Sequence, residues 1–564
     1  MTDVLLTPRR GAAVTEPETA PLHDGYRRPD RAPDLEPTRG RVSLGWLRAH
    51  ALSLGIVACL LALAAHLIGT GSTHYPAFAD DEGTYVAEAW AVMTHGQLSH
   101  YTYWYDHPPF GWVQLGLLTS MFGGLVRGAT AVATARSLML IPALATTGLL
   151  YALARRLELR RGFAVLAALT LIVSPLGIYS LREIYLEDFA LPWLLASFLL
   201  AATPNAKLWS FAGSGVCFAA AVLSKETMLL FLPGLLVAVV QQTDRRTRSF
   251  CLAAFGASFV LVGSIYPLMA LLRDELLPGH GHVSLEQAVV WQLVTRQATG
   301  SVFNPHSAAR QVIDGWLRND AWLLGLGLGS APLALFVRKL RPIAVALAVA
   351  VLIAVHGGYL PEPFDIGLLP FCALLPAGLL NTLWGLRWER SKWFGRVTTV
   401  ASAATVVALV AIVGPQWIKG DRYAMSKNLT NPQVAAERWI EKHINRRARL
   451  ITDDTLYVDL VRAGFQPRYG VVWFSKLSFA SNLDPAIKKH LPRGWREFDF
   501  VIDSPDMRNS MYADKPGYSE VFDAINHSRT VKTFGTGAAQ IQIRMLTGVG
   551  VGSYLCPHCN VVRR

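Results

Sequence analysis

Three consecutive carboxylates, Asp80, Asp81 and Glu82, lie in the stretch FADDEGTYVAEAW (78–90). A carboxylate can take the proton of an attacking hydroxyl, and neighbouring acids can position it or hold a cation. Downstream, HYTYWYDHPPFGW (100–112) sets Asp106 and His107 before a Pro-Pro pair, and a histidine there can contact a phosphate or ligate a metal. SLREIYLEDFALPW (180–193) holds Arg182, Glu183, Glu187 and Asp188 between two apolar runs, LSKETM (223–228) adds Lys225 and Glu226, and Arg296 follows. A charge at the centre of a membrane helix costs about 2.5–3.5 kcal/mol, and less at the edge, so four charges in one short loop argue for a purpose. Acids that can deprotonate a hydroxyl, beside cations that can stabilise a phosphate leaving group, suit transfer from a phosphate-linked donor. Blander readings stand beside this one. Helix capping explains one of the three acids but not the run. Arg182 can pair with a neighbouring acid. Tyr101, Tyr103, Trp104 and Tyr105 can equally form an aromatic belt at a membrane interface.

The elements that must position these residues are apolar. The chain has 564 residues, 52% hydrophobic and 16% charged, with a mean hydropathy of +0.30; a soluble domain is roughly a quarter charged. Apolar runs at 46–70, 130–154, 162–180, 189–203, 208–223, 226–241, 249–271, 320–337, 342–357, 365–385 and 397–417 give about eleven membrane crossings, several of them short. The net charge of +13 falls in short loops between them, ARRLELRRG (154–162), TDRRTRS (243–249), VRKLRP (337–342) and LRWERSKWFGR (386–396). That pattern assigns these loops to the cytoplasm and excludes nucleic acid as the partner, since no basic stripe accompanies it. Residues 110–126 are then an interfacial helix rather than a crossing, and GTYVAEAWAVMTHG after Glu82 is a helix on the outer surface with a narrow aromatic face. The three acids sit at its start, outside the cytoplasm.

Three domains follow. Residues 1–45 are a disordered cytoplasmic tail, poor in large apolar residues, and the run from residue 46 is an uncleaved anchor. Residues 46–417 form the transmembrane domain, with outer loops 71–129 and 272–319. Residues 418–564 alternate short apolar strands with helical patterns and form an extracytoplasmic α/β domain. Its pair Asp453–Asp454 reads as solvated loop. Four of the six cysteines lie in apolar runs, while CPHC (556–559) has five residues after it, too few for a thioredoxin-like setting.

The motifs together resemble the GT-C superfamily of polyprenyl-phosphate-dependent glycosyltransferases, and within it protein O-mannosyltransferases and lipid A aminoarabinose transferases. The resemblance rests on Asp81 and Glu82 with Tyr85 three residues on, on Asp106, His107 and Pro108 before an interfacial helix, and on Asp188 in the second outer loop. It implies a polytopic α-helical membrane protein of GT-C type with Asp81 as catalytic base. Glu82 and Asp188 would position that base, the acceptor or a metal. Tyr85, Asp106, His107, Arg182, Lys225, Arg296, Tyr359 and Glu362 are the expected contacts to donor phosphate and sugar. No cofactor is certain, and a divalent metal, Mg or Mn, is left open at Asp81, Asp188 and His107. Relatives carry an Arg-Tyr pair before a late Pro-rich span; HGGYLPEPFDIGLLP (356–370) has no Arg, so Arg296 or Lys225 must supply that charge.

The implied reaction moves a hexosyl or pentosyl group from a polyprenyl-phosphate donor to a hydroxyl on a lipid, glycan or protein acceptor, with inversion. Its place is the extracytoplasmic face of the plasma (inner) membrane, among membrane lipids. The alternative is a transporter or flippase of the lipid-linked sugar. Transporters keep ionisable groups near the bilayer midplane, whereas here they gather at one boundary.

Overall fold

The computed structural model describes residues 44–204, 207–386, 392–477 and 484–547. The expected tail up to residue 43 and the Cys556–Cys559 motif lie outside them. The chain divides into units of residues 1–52 and 53–564, and every contact described falls within the second.

In chain order the helices are α1 (Leu44–Gly69), α2 (Asp80–His95), α3 (Phe110–Met121), α4 (Ala131–Leu138), α5 (Leu140–Arg156), α6 (Arg161–Val173), α7 (Pro175–Ser180), α8 (Leu186–Ala201), α9 (Leu208–Ser224), α10 (Leu232–Gln242), α11 (Arg248–Gly263), α12 (Ile265–Leu272), α13 (Leu285–Val290), α14 (Ala308–Ala334), α15 (Arg341–Val355), α16 (Leu369–Gly385) and α17 (Lys392–Ser426). Each of the eleven apolar runs is helical. Five stretches of the described residues are both long and apolar enough to cross a bilayer: Ala51–Gly69, Ala131–Arg156, Arg248–Leu272, Glu362–Gly385 and Gly395–His443. Large apolar side chains also face outward: Leu261, Phe336 and Val407 are 74, 84 and 68% exposed, a surface that needs lipid rather than water as its solvent.

Small residues let these helices approach closely. A Cβ on Gly215 would stand 2.2 Å from the Phe255 carbonyl oxygen, so α9 and α11 cross nearly backbone to backbone. Elsewhere polar side chains close the helix ends. Ser174 breaks α6 from α7 and caps α7, accepting the Gly177 N–H. Its hydroxyl donates to Asp320 at 2.6 Å, and Asp320 in turn accepts the Trp322 N–H across the kink it makes in α14. Arg182, expected to pair with a neighbouring acid, has no ion pair among the described residues. It is fully buried and donates to the carbonyls of Leu67, Ile68 and Thr70 at the end of α1 and of Ala424 in α17. Helix ends leave carbonyls without partners, and this guanidinium satisfies them.

The C-terminal region opens with α18 (Asn431–His443) and contains β1 (Leu450–Thr452), α19 (Tyr457–Arg462), β2 (Val471–Trp473), α20 (Pro485–His490), β3 (Phe500–Asp503), α21 (Pro505–Ala513), α22 (Ser519–Asn526), β4 (Ser528–Phe534) and β5 (Ile541–Leu546). The sheet order is β2-β1-β3-β5-β4. β1 runs parallel to β2 and β3, while β5 pairs antiparallel with β3 and β4. Sheets of this kind offer a crevice at the carboxyl ends of their parallel strands. Here that crevice receives the first turn of α2. Asp453 and Asp454, expected in solvent, follow β1 and are buried against it.

Candidate active site

Helix α2 is held on two sides. It was expected to lie on the membrane surface, but Glu82 through Ala89 are buried. The helix packs against α3 and α4 on one side and against α19 and the Asp454–Leu456 turn on the other. Its period-3.6 pattern marked a helix with an apolar face and could not say what covers it. At its far end Gly96, at φ 63°, closes the helix with its N–H on the Ala91 and Val92 carbonyls, a left-handed position suited to glycine.

The three acids of the first turn meet different fates. Asp80, half-buried, accepts the Asp454 N–H at 3.1 Å and the Trp473 Nε1–H at 2.8 Å, and its own N–H donates to Asp506 at 2.8 Å. Burial, with Asp453, Asp454, Asp506 and Asp81 nearby, pushes its carboxyl well above the usual range. Glu82 is fully buried in a bidentate pair with Arg136, at 2.6 and 2.5 Å. It also accepts the N–H groups of Ala79 and Ile184. Arg136 spends its other donors on the Pro76 and Ala77 carbonyls. Asp81 is exposed and has no hydrogen-bond partner among the described residues.

Gly83 explains how close the covering is. A Cβ there would stand 2.0 Å from the Thr455 nitrogen, so only glycine admits the C-terminal region at this point. Thr84 and His100 complete the seam, both donating to Asp454 Oδ2, at 3.1 and 3.0 Å. The aromatics expected as an interfacial belt are buried as well, at 4% exposure or less. Tyr101 accepts the Trp473 N–H at 2.7 Å, and Tyr105 donates to Glu275 at 2.6 Å. They are the bed on which the C-terminal region and the 272–319 loop rest. Lys476, which no sequence motif marks, is buried among Tyr101, Tyr103 and Trp473, 5.0, 5.2 and 5.7 Å from their ring centres.

Beside Asp81 stands a chain of charged groups. Glu226 accepts from His107 Nδ1 at 2.9 Å, so His107 Nε2 is the nitrogen left to accept from Lys225 Nζ at 3.0 Å. This contact selects the Nδ1–H tautomer. Lys225 lies 3.6 Å from Glu187. Glu187 and Asp188 open α8, and both Asp188 oxygens are buried with no hydrogen-bond partner, a costly arrangement for a carboxyl group. Arg296 stacks on Tyr359, its guanidinium carbon 3.4 Å from the ring centre. It donates to Gln292, which in turn donates to the Asp106 carbonyl. The late stretch without an arginine thus receives one from the 272–319 loop, and Lys225 is near enough for the two charges to interact.

A cavity of about 200 Å³ adjoins this group, lined by Tyr179, Glu183, Tyr185, Trp316, Glu362 and Asp365 among others. Asp81 is within electrostatic reach of Tyr85, Tyr185, Lys225, Tyr359 and Glu362. The loops thus bring Asp81, Tyr85, His107, Lys225, Arg296, Tyr359 and Glu362 into one neighbourhood, with Glu362 in the cavity wall, while Arg182 is spent on the carbonyls of α1 and α17. Asp106 lies at the edge of this neighbourhood, within electrostatic reach of Tyr103. The trio considered for a metal does not fit one. Among the described residues no three His, Cys, Asp or Glu side chains are arranged to hold a metal ion, and both His107 nitrogens are engaged, one by an ammonium.

The model of the family described as "Dolichyl-phosphate-mannose-protein mannosyltransferase" matches residues 106–268, from the Asp106–His107 turn through α11. No curated protein sequence matches the chain significantly. Among solved structures, the chain is similar to ArnT from Cupriavidus metallidurans bound to undecaprenyl phosphate, with a TM-score of 0.58 and 14% identity over 88% of this chain and 98% of that one. The apo form of the same protein gives 0.54 at 13% identity with the same coverage. The Archaeoglobus fulgidus oligosaccharyltransferase tethered with an acceptor peptide gives 0.51 at 12% identity, over 88% of this chain and 74% of that one. Such identities speak for the fold, and the family match speaks for the segment that carries His107, Asp188 and Lys225. The chain thus shares the fold of these glycosyltransferases, and its residues 106–268 match the mannosyltransferase family model.

Proposed function

We propose that this protein transfers a sugar from a polyprenyl-phosphate donor to a hydroxyl acceptor at the extracytoplasmic face of the plasma membrane, with inversion. Residues 46–417 form the catalytic domain and the C-terminal region lies outside with the site. One observation carries the reading. Of three adjacent carboxylates, Asp81 alone is exposed and without a hydrogen-bond partner among the described residues, and it is within electrostatic reach of Lys225 and of Glu362 in the cavity wall.

In the reaction Asp81 accepts the acceptor hydroxyl proton while that oxygen attacks the anomeric carbon. The bond from this carbon to the phosphate oxygen breaks, and the phosphate leaves with the electron pair. Lys225 and Arg296 stabilise the charge that develops there. His107, held as the Nδ1–H tautomer by Glu226, keeps Lys225 in place. Attack from the side opposite the leaving phosphate inverts the anomeric centre. Glu82, locked to Arg136, fixes the first turn of α2, and Asp188 lies behind it. A relative of this fold binds undecaprenyl phosphate, which supports a polyprenyl carrier here. Grouping of the acids at one end of the helices, rather than at mid-depth, favours transfer over flipping.

The test is transfer by membranes supplied with lipid-linked sugar, wild type against Asp81→Asn. The variant is expected to be present at normal levels and slowed by about 10²–10⁴-fold. Near-normal transfer by it rules out Asp81 as the base. Accumulation of one lipid-linked sugar in cells lacking the protein identifies the donor.

A further inference from the structure

At the helix ends remote from Asp81 the structure has a second cavity, of about 240 Å³. α5 ends there at Arg156, α10 at Gln242, and α15 begins there at Arg341. Its polar wall holds Arg156, Arg338 and Lys339, and its floor is Leu153, Phe198 and Ile343. One carboxylate, Glu158, also lines it and pairs with Lys339. Arg338 donates to the Gln241 carbonyl at 3.1 Å. Arg156 is exposed and has no hydrogen-bond or ion-pair partner among the described residues.

Three cations against one acid leave an excess positive charge facing a small space with an apolar floor. The turn after α5 adds Arg160 and Arg161, so the potential beside the cavity is positive as well. A phosphodiester supplies the matching charge, and Arg156 and Arg338 offer guanidinium N–H groups of suitable geometry. Cavities of this composition, between helix ends at the level of the headgroups, suit anionic lipid. The volume has room for a headgroup and not for a whole lipid, so the acyl chains stay in the bilayer. None of these residues takes part in the transfer reaction.

We propose that this cavity binds the headgroup of an anionic phospholipid from the leaflet on the basic-loop side of the membrane. The assignment rests on the membrane reading of the fold but not on the sugar-transfer reaction, so a protein inactive in transfer binds the lipid all the same.

The experiment is native mass spectrometry of the purified full chain in detergent with phosphatidylglycerol or phosphatidylcholine of matched acyl chains. Wild type is expected to retain phosphatidylglycerol preferentially, with retention falling as salt rises. The triple variant Arg156→Gln, Arg338→Gln, Lys339→Gln is expected to weaken it about tenfold. A control that also removes charge, Arg245→Gln with Arg246→Gln, should change it little. Should the triple variant fail to fold, Arg156→Gln alone serves, because that side chain has no internal partner to lose. Equal retention of the two lipids by wild type overturns the proposal, as does a loss that follows the control rather than the cavity variants. Competition by inorganic phosphate as effective as by the lipid overturns the lipid assignment in favour of a free anion.

Discussion

The Asp80 carboxylate accepts the backbone N–H of Asp454 at 3.1 Å. Two acids from chain positions 374 residues apart thus meet through one side chain and one main chain, with the Trp473 indole on the other Asp80 oxygen. This joint pins the C-terminal region to the turn that presents Asp81. It makes the first of the three acids a fastening, the second the free group and the third an internal brace.

Loosening that joint should release the C-terminal region. Asp80→Ala leaves the Trp473 indole and the Asp454 N–H without acceptors, at a cost of about 1–3 kcal/mol for each donor left unsatisfied. Gly83→Ala acts from the other direction, since its methyl meets the Thr455 backbone. Both variants should show faster cleavage in the 427–450 segment under limited proteolysis, with Gly83→Ala the more severe. Unchanged cleavage in both would mean that the seam is not what holds the region down.

Glu82→Gln and Asp81→Asn should separate stability from transfer. Glu82→Gln strips the countercharge from a fully buried Arg136, and breaking a buried pair costs about 3–5 kcal/mol. A large fall in the melting temperature in detergent is expected. Asp81→Asn removes no hydrogen bond and should leave melting within a degree or two of wild type. Similar melting shifts for the two would contradict the division of labour.

Much of this was legible in the sequence, for physical reasons. A bilayer demands long apolar helices, so each of the eleven runs could be read from composition, and the acids at their ends stood out against that background. Contacts between distant segments leave no such trace. Nothing in SLREIYLEDF says that Arg182 will cap α1, and nothing in ARSL marks Arg136 as the partner of Glu82. Asp453–Asp454 looked like a solvated loop because the acidic wall opposite lies in α2. β4 is hard to read from sequence because an exposed edge strand, SRTVKTF, carries few of the alternating apolar residues that mark a half-buried one. A glycine inside a helix was a weak signal that could have been used: Gly83 costs the helix stability unless something must come close.

The Glu226–His107–Lys225 chain predicts an effect on donor binding. Lys225→Met removes the cation and leaves Glu187 buried beside an apolar side chain. KM for the lipid-linked donor should rise by about tenfold or more, and free polyprenyl phosphate should lose potency as a product inhibitor in parallel. Glu226→Gln keeps the lysine but weakens control over the His107 tautomer, and a smaller change in the same direction is expected. Inhibition by polyprenyl phosphate that is the same in Lys225→Met as in wild type would remove Lys225 from the phosphate site.

The same seam should respond to pH. Asp506 receives the Asp80 N–H and lies near Asp453, Asp81 and Glu362. Burial and these negative neighbours push its carboxyl up to about 7, against the one backbone bond that lowers it. Asp80 moves in the same direction for the same reasons. A carboxyl raised in the folded state favours folding most when protonated in both states. Its contribution is therefore fully present below the ordinary carboxylate range and is lost as pH climbs from there through about 7; above that both states are ionised and the loss is complete. The docked C-terminal region should accordingly resist protease and heat best under mildly acidic conditions, weaken towards neutrality, and change little above it. Asp506→Asn keeps an oxygen for the Asp80 N–H and removes the titrating charge, so it should flatten most of the decline and raise stability at neutral pH. Melting curves in detergent across this interval, read for both proteins, decide the matter, and an undiminished slope in Asp506→Asn would assign the pH response to other groups.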